Sequence, residues 1–389
     1  MNCFRRFLLF STVLVILCNC VIAVADDKDE GFEHNYDYPK RKYSTVHHHN
    51  YLAKENNDNG DEVITSLANN DKAENLLKEE KSLSLKINKW VGTHLRIMTF
   101  NTWNMGRYVH DGRQKIAKHI KLNNVDVVGL QEVRATEEIE EVVKHLNTDS
   151  TETWSYIYYG NCAIVTKHTI NLKSVAKTTS GVGVQILLDS KRKLMLYSLH
   201  MAYTNYAPYA LMYRQSNVKA LLDYGECSDQ HCRCGNAKDL VKSQEFQDAL
   251  GRTKTEPLFV LGDFNSPSHL DYAENLKHLH YGYSYQFPST FIIQNATGMV
   301  DSYRELYPDV EKYPGASWST VNVVMNTVDF NYMIREPQDR IDFILYKSSS
   351  VKAVKSGRYA GDFVTYPKDI VNNDWPSDHY AYISEFKGY

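Results

Sequence analysis

The sequence lacks the signatures of several large protein classes. It contains no G-x-x-x-x-G-K-[ST] phosphate loop, no G-x-G-x-x-G dinucleotide fingerprint and no G-x-S-x-G nucleophile elbow. Beyond the first 25 residues, no apolar run is long enough to span a lipid bilayer. The chain has no basic excess either, with 44 basic and 47 acidic side chains in 389 residues. Any affinity for a polyanion would therefore have to be local.

The N-terminus has the pattern of a secretory signal peptide at residues 1–25. Arg5 and Arg6 precede an apolar run, and Ala23-Val24-Ala25 offers a small-residue cleavage site. The run is short for a membrane anchor, so an uncleaved anchor is the weaker alternative. We expect a secreted, extracellular protein without an integral membrane span. Residues 26–92 are rich in Asp, Glu, Asn and Lys, which is typical of a polar, disordered leader.

Few cysteines remain once the signal peptide is set aside. They are Cys162, Cys227, Cys232 and Cys234. In the oxidising secretory pathway, four cysteines predict up to two disulfides. A zinc site is the competing interpretation, but the cysteine spacing does not match that of the usual zinc sites. The sequence does not fix the pairing, but we favour joining Cys162 to Cys227 or Cys234. Asn295, in the sequon Asn-Ala-Thr, is a predicted glycosylation site on a surface loop.

Residues 93–389 show apolar segments of strand type that alternate with amphipathic helical segments. Strands are predicted at "LRIMTFNTW", "VDVVGLQEV", "KLMLYSLHM", "PLFVLGDFN" and "RIDFILYK", among others. Helices are predicted at "GRQKIAKHIKLNN", "TEEIEEVVKHLN", "APYALMYRQSNVKALLDYG" and "HLDYAENLKHL". The strands are too many for one sheet. We therefore expect one α/β domain in which two sheets pack face to face with helices outside.

Polar side chains recur at the ends of these strands. The set comprises Asn101, Glu132, His200, Asp263, Asn265, Asp342, Asp378 and His379. One such residue alone is more often a cap or a rim residue. This many at the mouths of apolar strands instead indicates a ligand site. Asp263 and Asn265 stand two apart, so in an extended chain their side chains point the same way.

The residue types of this set favour metal-assisted hydrolysis. Carboxylates such as Glu132 hold hard cations through oxygen, and magnesium needs few protein ligands. Histidines shuttle protons or contact anions, and amides donate to oxygens that gain charge. Because no serine or cysteine nucleophile setting accompanies them, the pattern suits attack by activated water on phosphorus.

The ordered motifs "IMTFNTW", "VVGLQEVR", "SLHMA", "VLGDFNSPS", "DRIDFILY" and "PSDHYAYISEF" resemble the endonuclease/exonuclease/phosphatase superfamily, the deoxyribonuclease I-like fold. The resemblance covers residues 95–386. It implies a four-layer α/β/β/α sandwich with two mixed, mainly antiparallel sheets and a site at one end of them. It also implies magnesium as the cofactor; manganese could substitute, and a structural calcium ion stays open.

The resemblance assigns a role to each matching residue. Asn101, Glu132 and Asp378 would lie at the metal, with Glu132 the main ligand. His379 would pair with Asp342 and bind the phosphate or orient water, and Asp263 would polarise the attacking water or, with two metals, hold one of them. Asn265 would steady the phosphorus oxygens, and His200 would act on the phosphate or the leaving group. Asp301 and Arg304 are expected to be structural.

The resemblance leaves the substrate open, because this fold carries several phosphoesterase activities. Arg134, in "LQEVR", resembles an arginine that meets the DNA minor groove in deoxyribonuclease I. We therefore expect a nuclease that acts on DNA. The alternatives are a phospholipid phosphodiesterase of sphingomyelinase type, another phosphomonoesterase, or a secreted binding protein without activity. Oligomeric state is open.

Overall fold

The computed structural model describes residues 64–65, 94–213, 216–228, 232–321, 324–327, 332–363, 365–366 and 368–388. The predicted signal peptide at 1–25 lies outside them. So does the predicted leader at 26–92, apart from the two-residue strand β1 (Ile64–Thr65). Both interpretations therefore stay predictions. None of the helices in the described part has the length and apolar character that crossing a bilayer requires.

One sheet runs in the order β1-β4-β5-β3-β2-β15-β14. Its longer strands are β2 (His94–Asn101), β3 (Val127–Gln131), β4 (Ser155–Tyr159), β5 (Cys162–Thr166), β14 (Val351–Tyr359) and β15 (Ala381–Gly388). Strands β2 and β3 are parallel, which places Asn101 opposite Gln131. The other neighbouring pairs are antiparallel.

The second sheet runs in the order β10-β13-β9-β8-β7-β6. Its strands are β6 (Thr169–Thr178), β7 (Gly181–Leu187), β8 (Lys193–His200), β9 (Leu258–Asp263), β10 (Val300–Asp301) and β13 (Asp342–Lys347). It also contains one parallel pair, β8 and β9, in which His200 lies opposite Asp263. Strands β11 (Val324–Thr327) and β12 (Tyr332–Arg335) form a separate two-stranded ribbon.

Helices cover the outer face of each sheet. Those next to the first sheet are α1 (Trp103–Gly106), α2 (Gly112–Leu122) and α3 (Thr136–Asn147). The later helices are α4 (Pro208–Met212), α5 (Val218–Cys227), α6 (Arg233–Lys242), α7 (Gln244–Gly251), α8 (Pro288–Thr297) and α9 (Ser302–Leu306). Short 3₁₀ turns occur at Glu274–Leu279 and Ile370–Asn372.

Three apolar layers hold the sandwich together. Between the sheets, fully buried side chains such as Val127, Val184 and Leu261 pack against one another. On α3, Ile139, Val142, Val143 and Leu146 recur at helical spacing and face the first sheet. A third layer joins α6 and α7 to the second sheet. The predicted four-layer α/β/β/α sandwich is confirmed.

Gly129 allows the sheets to approach closely at the middle of β3. A Cβ built there would lie 2.1 Å from Leu261 Cδ1 and 2.8 Å from Ser198 Oγ. A larger residue would have to displace the side chains of Leu261 and Ser198 at the point where β3 faces β8 and β9. The separation of the sheets in turn fixes how far apart their polar strand ends lie.

Two helix predictions differ from the structure. The stretch from Ala207 to Gly225 was expected to be continuous, but α4 ends at Met212 and α5 begins at Val218, after Asn217 in the left-handed region. The predicted helix in "HLDYAENLKHL" is only a 3₁₀ turn, Glu274–Leu279, with no buried residue. Without an apolar face to bury, this segment gains too little from packing to extend as a helix.

Candidate active site

The sheet registers bring the predicted polar residues to one edge of the sandwich. Asn101 ends β2 and Glu132 directly follows β3, the parallel strands of the first sheet, and His200 and Asp263 end those of the second. Asp342 begins β13 and lies directly opposite Asp263. Because parallel strands end at the same edge, the four strand ends converge although they are far apart in sequence.

Asp263 lies at the centre of the cluster and is 1% exposed. Its Oδ2 accepts a hydrogen bond from Asn101 Nδ2 at 2.9 Å. The same oxygen lies 3.7 Å from His200 Nε2 and 3.7 Å from His379 Nε2. Oδ1 accepts from the backbone amide of Asn265 at 2.7 Å. A carboxylate at the end of an apolar strand is therefore compensated by polar groups on every side.

His379 and Asp342 form a buried ion pair. His379 Nδ1 donates to Asp342 Oδ2 at 2.9 Å. Burial alone would lower the pKa of His379, but the carboxylates of Asp342 and Asp263 outweigh it and raise that pKa to about 10. Burial raises the pKa of Asp342 to about 6, against the opposing charge of His379. Between pH 6 and pH 10 both members of the pair are therefore charged. The second ring nitrogen of His379, Nε2, faces Asp263.

Glu132 adopts a left-handed backbone conformation, with φ 62°, immediately after β3. This conformation is uncommon for a residue with a side chain and is typical of positions that the surroundings over-determine. Its Oε2 accepts from the backbone amide of Asn104 at 2.8 Å, and its Oε1 accepts from Asn101 Nδ2 at 3.3 Å. Asn101 thus bridges Glu132 and Asp263.

Asp378 completes the acidic side of the cluster. Its Oδ2 accepts from Trp318 Nε1 at 3.1 Å. Its Oδ1 is buried and has no hydrogen-bond partner within the described part of the chain. Burial raises the pKa of Asp378 to about 6, and the charge of Glu132 adds to the rise. A cation bound beside this unsatisfied oxygen and the second carboxylate would stabilise the charged form of both groups.

These donors fit a magnesium ion, which the sequence resemblance implies. Glu132 and Asp378 offer hard oxygen ligands, and magnesium commonly takes only one or two carboxylates and otherwise water. Asn101 was predicted at the metal as well. In the structure its Oδ1 accepts from the backbone amide of Trp103 at 3.0 Å. With its amide donating to Glu132, Asn101 orients that carboxylate.

Asp263, Asp342 and His379 form a second group compatible with a cation, since one ligand atom from each lies within 4.8 Å of the others. The pKa of about 10, however, means that both ring nitrogens of His379 carry a proton near neutral pH, with Nδ1 bonded to Asp342 and Nε2 facing Asp263. A protonated imidazole repels a cation and cannot ligate it. Glu132 and Asp378 are therefore candidate cation ligands, and the second group is a candidate proton-carrying system.

Asn265 and His200 lie on the other side of Asp263. Asn265 is in the left-handed region, with φ 49°, so the extended-chain argument for its direction does not apply. Its Nδ2 donates one hydrogen to Met201 O at 3.0 Å. His200 Nδ1 lies 2.8 Å from Asn161 Nδ2. A small cleft of about 170 Å³ opens beside His200 and is lined by neutral polar groups that include Asn161, Thr179 and Asn236.

The sequence did not single out Asn161 or Trp318. Asn161 is in the turn between β4 and β5, and only the order of strands in the sheet places that turn beside His200. Trp318 reaches Asp378 from a loop 60 residues away. Neither residue carries a local signal. Asp301 is structural, as expected, since it caps α9 and accepts from Arg340 Nη1 at 2.6 Å.

Arg134 is exposed on the loop between Glu132 and α3. Its backbone amide donates to Glu138 Oε2 at 3.3 Å, which fixes the loop at the start of the helix. Its guanidinium forms no ion pair within the described ranges. The structure therefore presents this cation to solvent two residues after Glu132.

The structure corrects the preferred cysteine pairing. Cys227 at the end of α5 bonds Cys234 in the first turn of α6, with their Cα atoms 5.1 Å apart. Cys162 is a buried free thiol on β5, with its Sγ 3.6 Å from Ser180 O. Cys232 lies at the N-cap of α6 and accepts from the amide of Gly235. Asn295 is exposed as expected, but it lies in the last turn of α8, and not on a loop.

Comparison with known proteins gives one family match. The model of the Endonuclease/Exonuclease/phosphatase family matches residues 98–379. An uncharacterized protein of Caenorhabditis elegans is 36% identical over 299 residues, which make up 75% of this chain and 91% of that protein.

Solved structures with similar folds share little sequence identity with this chain. Truncated TDP2 of Caenorhabditis elegans is 14% identical, with a TM-score of 0.44, over 76% of this chain and 98% of that one. The human Nocturnin catalytic domain with bound sulfate anion is 15% identical, with a TM-score of 0.44, over 77% and 96%. A mannosyl-6-phosphatase of Bacteroides thetaiotaomicron is 16% identical, with a TM-score of 0.43, over 75% and 99%. Similarity at this level does not bear on the substrate.

Proposed function

The chain belongs to the endonuclease/exonuclease/phosphatase family, and we propose on that basis that it hydrolyses phosphodiester bonds with water as the nucleophile and Mg²⁺ or Mn²⁺ as cofactor. The convergence of Asp263, His200 and His379 carries the proposal, since both histidine Nε2 atoms lie 3.7 Å from one carboxylate oxygen. This geometry suits a water molecule that Asp263 polarises beside a phosphate contacted by two imidazoles.

The side chains that could serve as nucleophiles near this cluster are engaged elsewhere. Ser377 Oγ donates to Asn101 O at 2.6 Å, and Ser317 Oγ accepts from the amides of Ile341 and Asp342. Burial raises the pKa of the Cys162 thiol far above neutrality, so it stays protonated. A covalent enzyme intermediate is therefore disfavoured, and direct attack by water is favoured.

The remaining residues take distinct roles in this proposal. Glu132 and Asp378 hold the cation, which when bound supplies Lewis acidity at a phosphoryl oxygen. His379, kept protonated by Asp342, donates from Nε2 to a nonbridging oxygen of the phosphate. Asn265 has a second amide hydrogen besides the one bonded to Met201, and this hydrogen can stabilise the oxygens that gain charge. His200 lies on the leaving-group side.

We propose DNA as the substrate. Arg134 supports this choice, because its exposed guanidinium follows Glu132 by two residues and would meet a phosphate or a minor-groove edge of a bound duplex. The overall charge of −3 implies that such contacts are few, so binding should be moderate and its dependence on salt concentration shallow.

A phospholipid substrate is the second candidate, and one observation favours it. The loop that leads from β14 to Asp378 exposes Phe363, Tyr366 and Val371, which are 68%, 59% and 54% accessible. Exposed aromatic side chains near a phosphodiesterase site could insert into the interfacial region of a bilayer. Phe363→Ser should then slow hydrolysis of sphingomyelin in vesicles and leave a soluble phosphodiester unaffected.

The test compares Mg²⁺-dependent hydrolysis of double-stranded DNA, sphingomyelin vesicles and an inositol polyphosphate by the full-length chain. Asp263→Ala and His379→Ala run beside the wild type. Asp126→Asn is the matched control, because it disturbs a buried Asp–His pair with His168 at the opposite end of β3. Cleavage of DNA that EDTA and both site variants abolish supports the proposal. No turnover of any substrate by a folded, metal-binding protein would refute it and favour a binding role.

We propose in addition that the protein is secreted. The basic and apolar pattern of residues 1–25 supports this, as do the Cys227–Cys234 disulfide and the exposed Asn295 in its sequon. Expression in a eukaryotic cell should give a protein in the medium whose sequence begins near Asp26 and whose mass falls on treatment with a glycosidase. A protein retained in the cytosol with its initial residues intact would contradict secretion.

A further inference from the structure

Arg233, the first residue of α6, is only 1% exposed and connects three separate segments of the chain. Its Nη1 donates to Gly225 O at 2.7 Å and its Nη2 donates to Tyr203 O at 3.1 Å. Its Nε donates to Asn265 O. All three acceptors are backbone carbonyls in different elements: α5, the segment after β8 and the turn after β9. The planar guanidinium fork matches three convergent acceptors, which a lysine cannot do.

Two of these segments carry predicted site residues. Tyr203 lies three residues after His200, and Asn265 follows Asp263 by two. The two segments are also bonded to each other, since Asn265 Nδ2 donates to Met201 O. Asn236 of α6 accepts from the amide of Ala202 at 3.0 Å, so α6 holds the segment after β8 at a second point.

The left-handed backbone of Asn265 depends on such support. Its φ of 49° is a sparsely populated conformation that persists where the surroundings over-determine it. The carbonyl of Asn265 is fixed by Arg233, and its amide is fixed by Asp263 Oδ1. These bonds hold both ends of the residue.

Two features fix Arg233 itself. The Cys227–Cys234 disulfide joins the residues that directly follow Glu226 and Arg233, and so ties the end of α5 to the start of α6. Glu226 is fully buried, with Oε1 3.9 Å from Arg233 Nε and Oε2 accepting from Ser266 Oγ at 2.9 Å. The buried cation thus has a buried carboxylate within reach, and that carboxylate bonds the residue next to Asn265.

We propose that Arg233, secured by the Cys227–Cys234 disulfide and Glu226, is a positioning residue that sets Asn265 and the segment after His200 for the reaction. The expected change in kcat rests on the proposed hydrolysis. The expected change in amide hydrogen exchange does not depend on any activity. Arg233→Lys keeps the charge but replaces three fixed donors by one point charge, which leaves buried carbonyls without partners.

The test combines amide hydrogen exchange with kinetics on the full-length chain. Arg233→Lys should speed exchange about tenfold in peptides that cover residues 201–206 and 264–268. On the DNA substrate, kcat should fall about 10–100-fold, as expected for misplacement of a contacting group. The Mg²⁺ concentration for half-maximal activity should stay within about twofold of wild type, since Glu132 and Asp378 lie on other segments. Cys227→Ser/Cys234→Ser should act in the same direction on exchange and on kcat.

Ala237→Gly is the control on the same helix. Ala237 is buried and contributes to the packing of α6. Loss of its methyl group should lower the melting temperature and leave the hydrogen bonds from Arg233 to the three carbonyls intact. The positioning role is wrong if Ala237→Gly, at the same melting temperature as Arg233→Lys, shows the same faster exchange and the same fall in kcat. It is also wrong if Arg233→Lys leaves exchange unchanged in both segments. Exchange is measured without substrate, so a wild type that hydrolyses nothing would refute the proposed function and still leave this test decisive.

Discussion

The buried pair of His379 and Asp342 gives the sharpest single prediction. Asp342→Asn is nearly isosteric and keeps an acceptor for His379 Nδ1, which lies 2.9 Å from Asp342 Oδ2. It removes only the charge. A hydrogen bond to a charged group contributes about 1 kcal/mol more than a neutral one, and about 1.4 kcal/mol corresponds to one pKa unit. We therefore expect the pKa of His379 to fall by at least about one unit from its value of about 10, because Asp342 is the group that raises it most.

The assay separates protonation from orientation. In the metal-free protein, the imidazole signal of His379, identified by its loss in His379→Asn, should titrate at least about one unit lower in Asp342→Asn than in the wild type. At a pH below the measured titration midpoint of both proteins the ring is protonated in each, so any loss of kcat there reports orientation. That loss should be about 10²–10⁴-fold, the range typical of a positioned acid–base group.

The control is Asp126→Asn, which changes a buried carboxylate 3.4 Å from His168 Nε2. It should lower stability and leave both kcat and the titration of His379 unchanged. A kcat for Asp342→Asn within about threefold of wild type, together with an unshifted His379 titration, would refute the reasoning, because the carboxylate would then neither orient nor charge the ring.

Three further predictions follow from other parts of the structure. Arg134→Ala should weaken DNA binding and reduce the slope of log K against log salt by about one, with vesicle hydrolysis unaffected; binding titrations at several salt concentrations measure this. Asp378→Asn should raise the Mg²⁺ concentration for half-maximal activity by about 10–100-fold or more, as metal titrations of activity will show. Burial raises the pKa of Glu226 from 4.5 to about 7, so its contribution to stability is present below pH 4.5 and is lost as pH rises to 7. Glu226→Gln has no carboxyl group to ionise, so its free energy of unfolding, measured by chemical denaturation, should rise relative to that of the wild type by about 3 kcal/mol between pH 4.5 and 7. A difference between the two proteins that stays constant over this interval would contradict the burial argument.

The parts of the fold that sequence could predict are those with a local pattern. The apolar strands that end in Asn101, Glu132, His200 and Asp263 are visible as runs, and their alternation with helices predicts the layered sandwich. Because strand ends collect at one edge of a sheet, the candidate site could be named before any contact was known. The helix that begins at Thr136 was equally clear, since its apolar residues recur at helical spacing.

The failures concern features that depend on long-range geometry. Cys162 was expected to bond Cys227 or Cys234, but sequence spacing does not show that β5 is inside a sheet while the other two cysteines face each other across adjacent helices. The direction of Asn265 was argued from an extended chain, and its left-handed backbone removes that argument. Helix α5 begins only after Asn217, and helical periodicity alone does not encode the left-handed backbone of that residue.

Arg233 shows why a list of polar strand ends is an incomplete description of this site. Its sequence context, "HCRCG", indicates only a cysteine-rich turn, and a charged residue in such a turn is expected to be solvated. The fold instead buries it beneath the turn after β9, with three carbonyl acceptors and a carboxylate nearby. Residues that contact substrate are found from chemistry and spacing, because their side-chain types are restricted. Residues that hold backbone in place can be of many types, so only the three-dimensional contacts identify them.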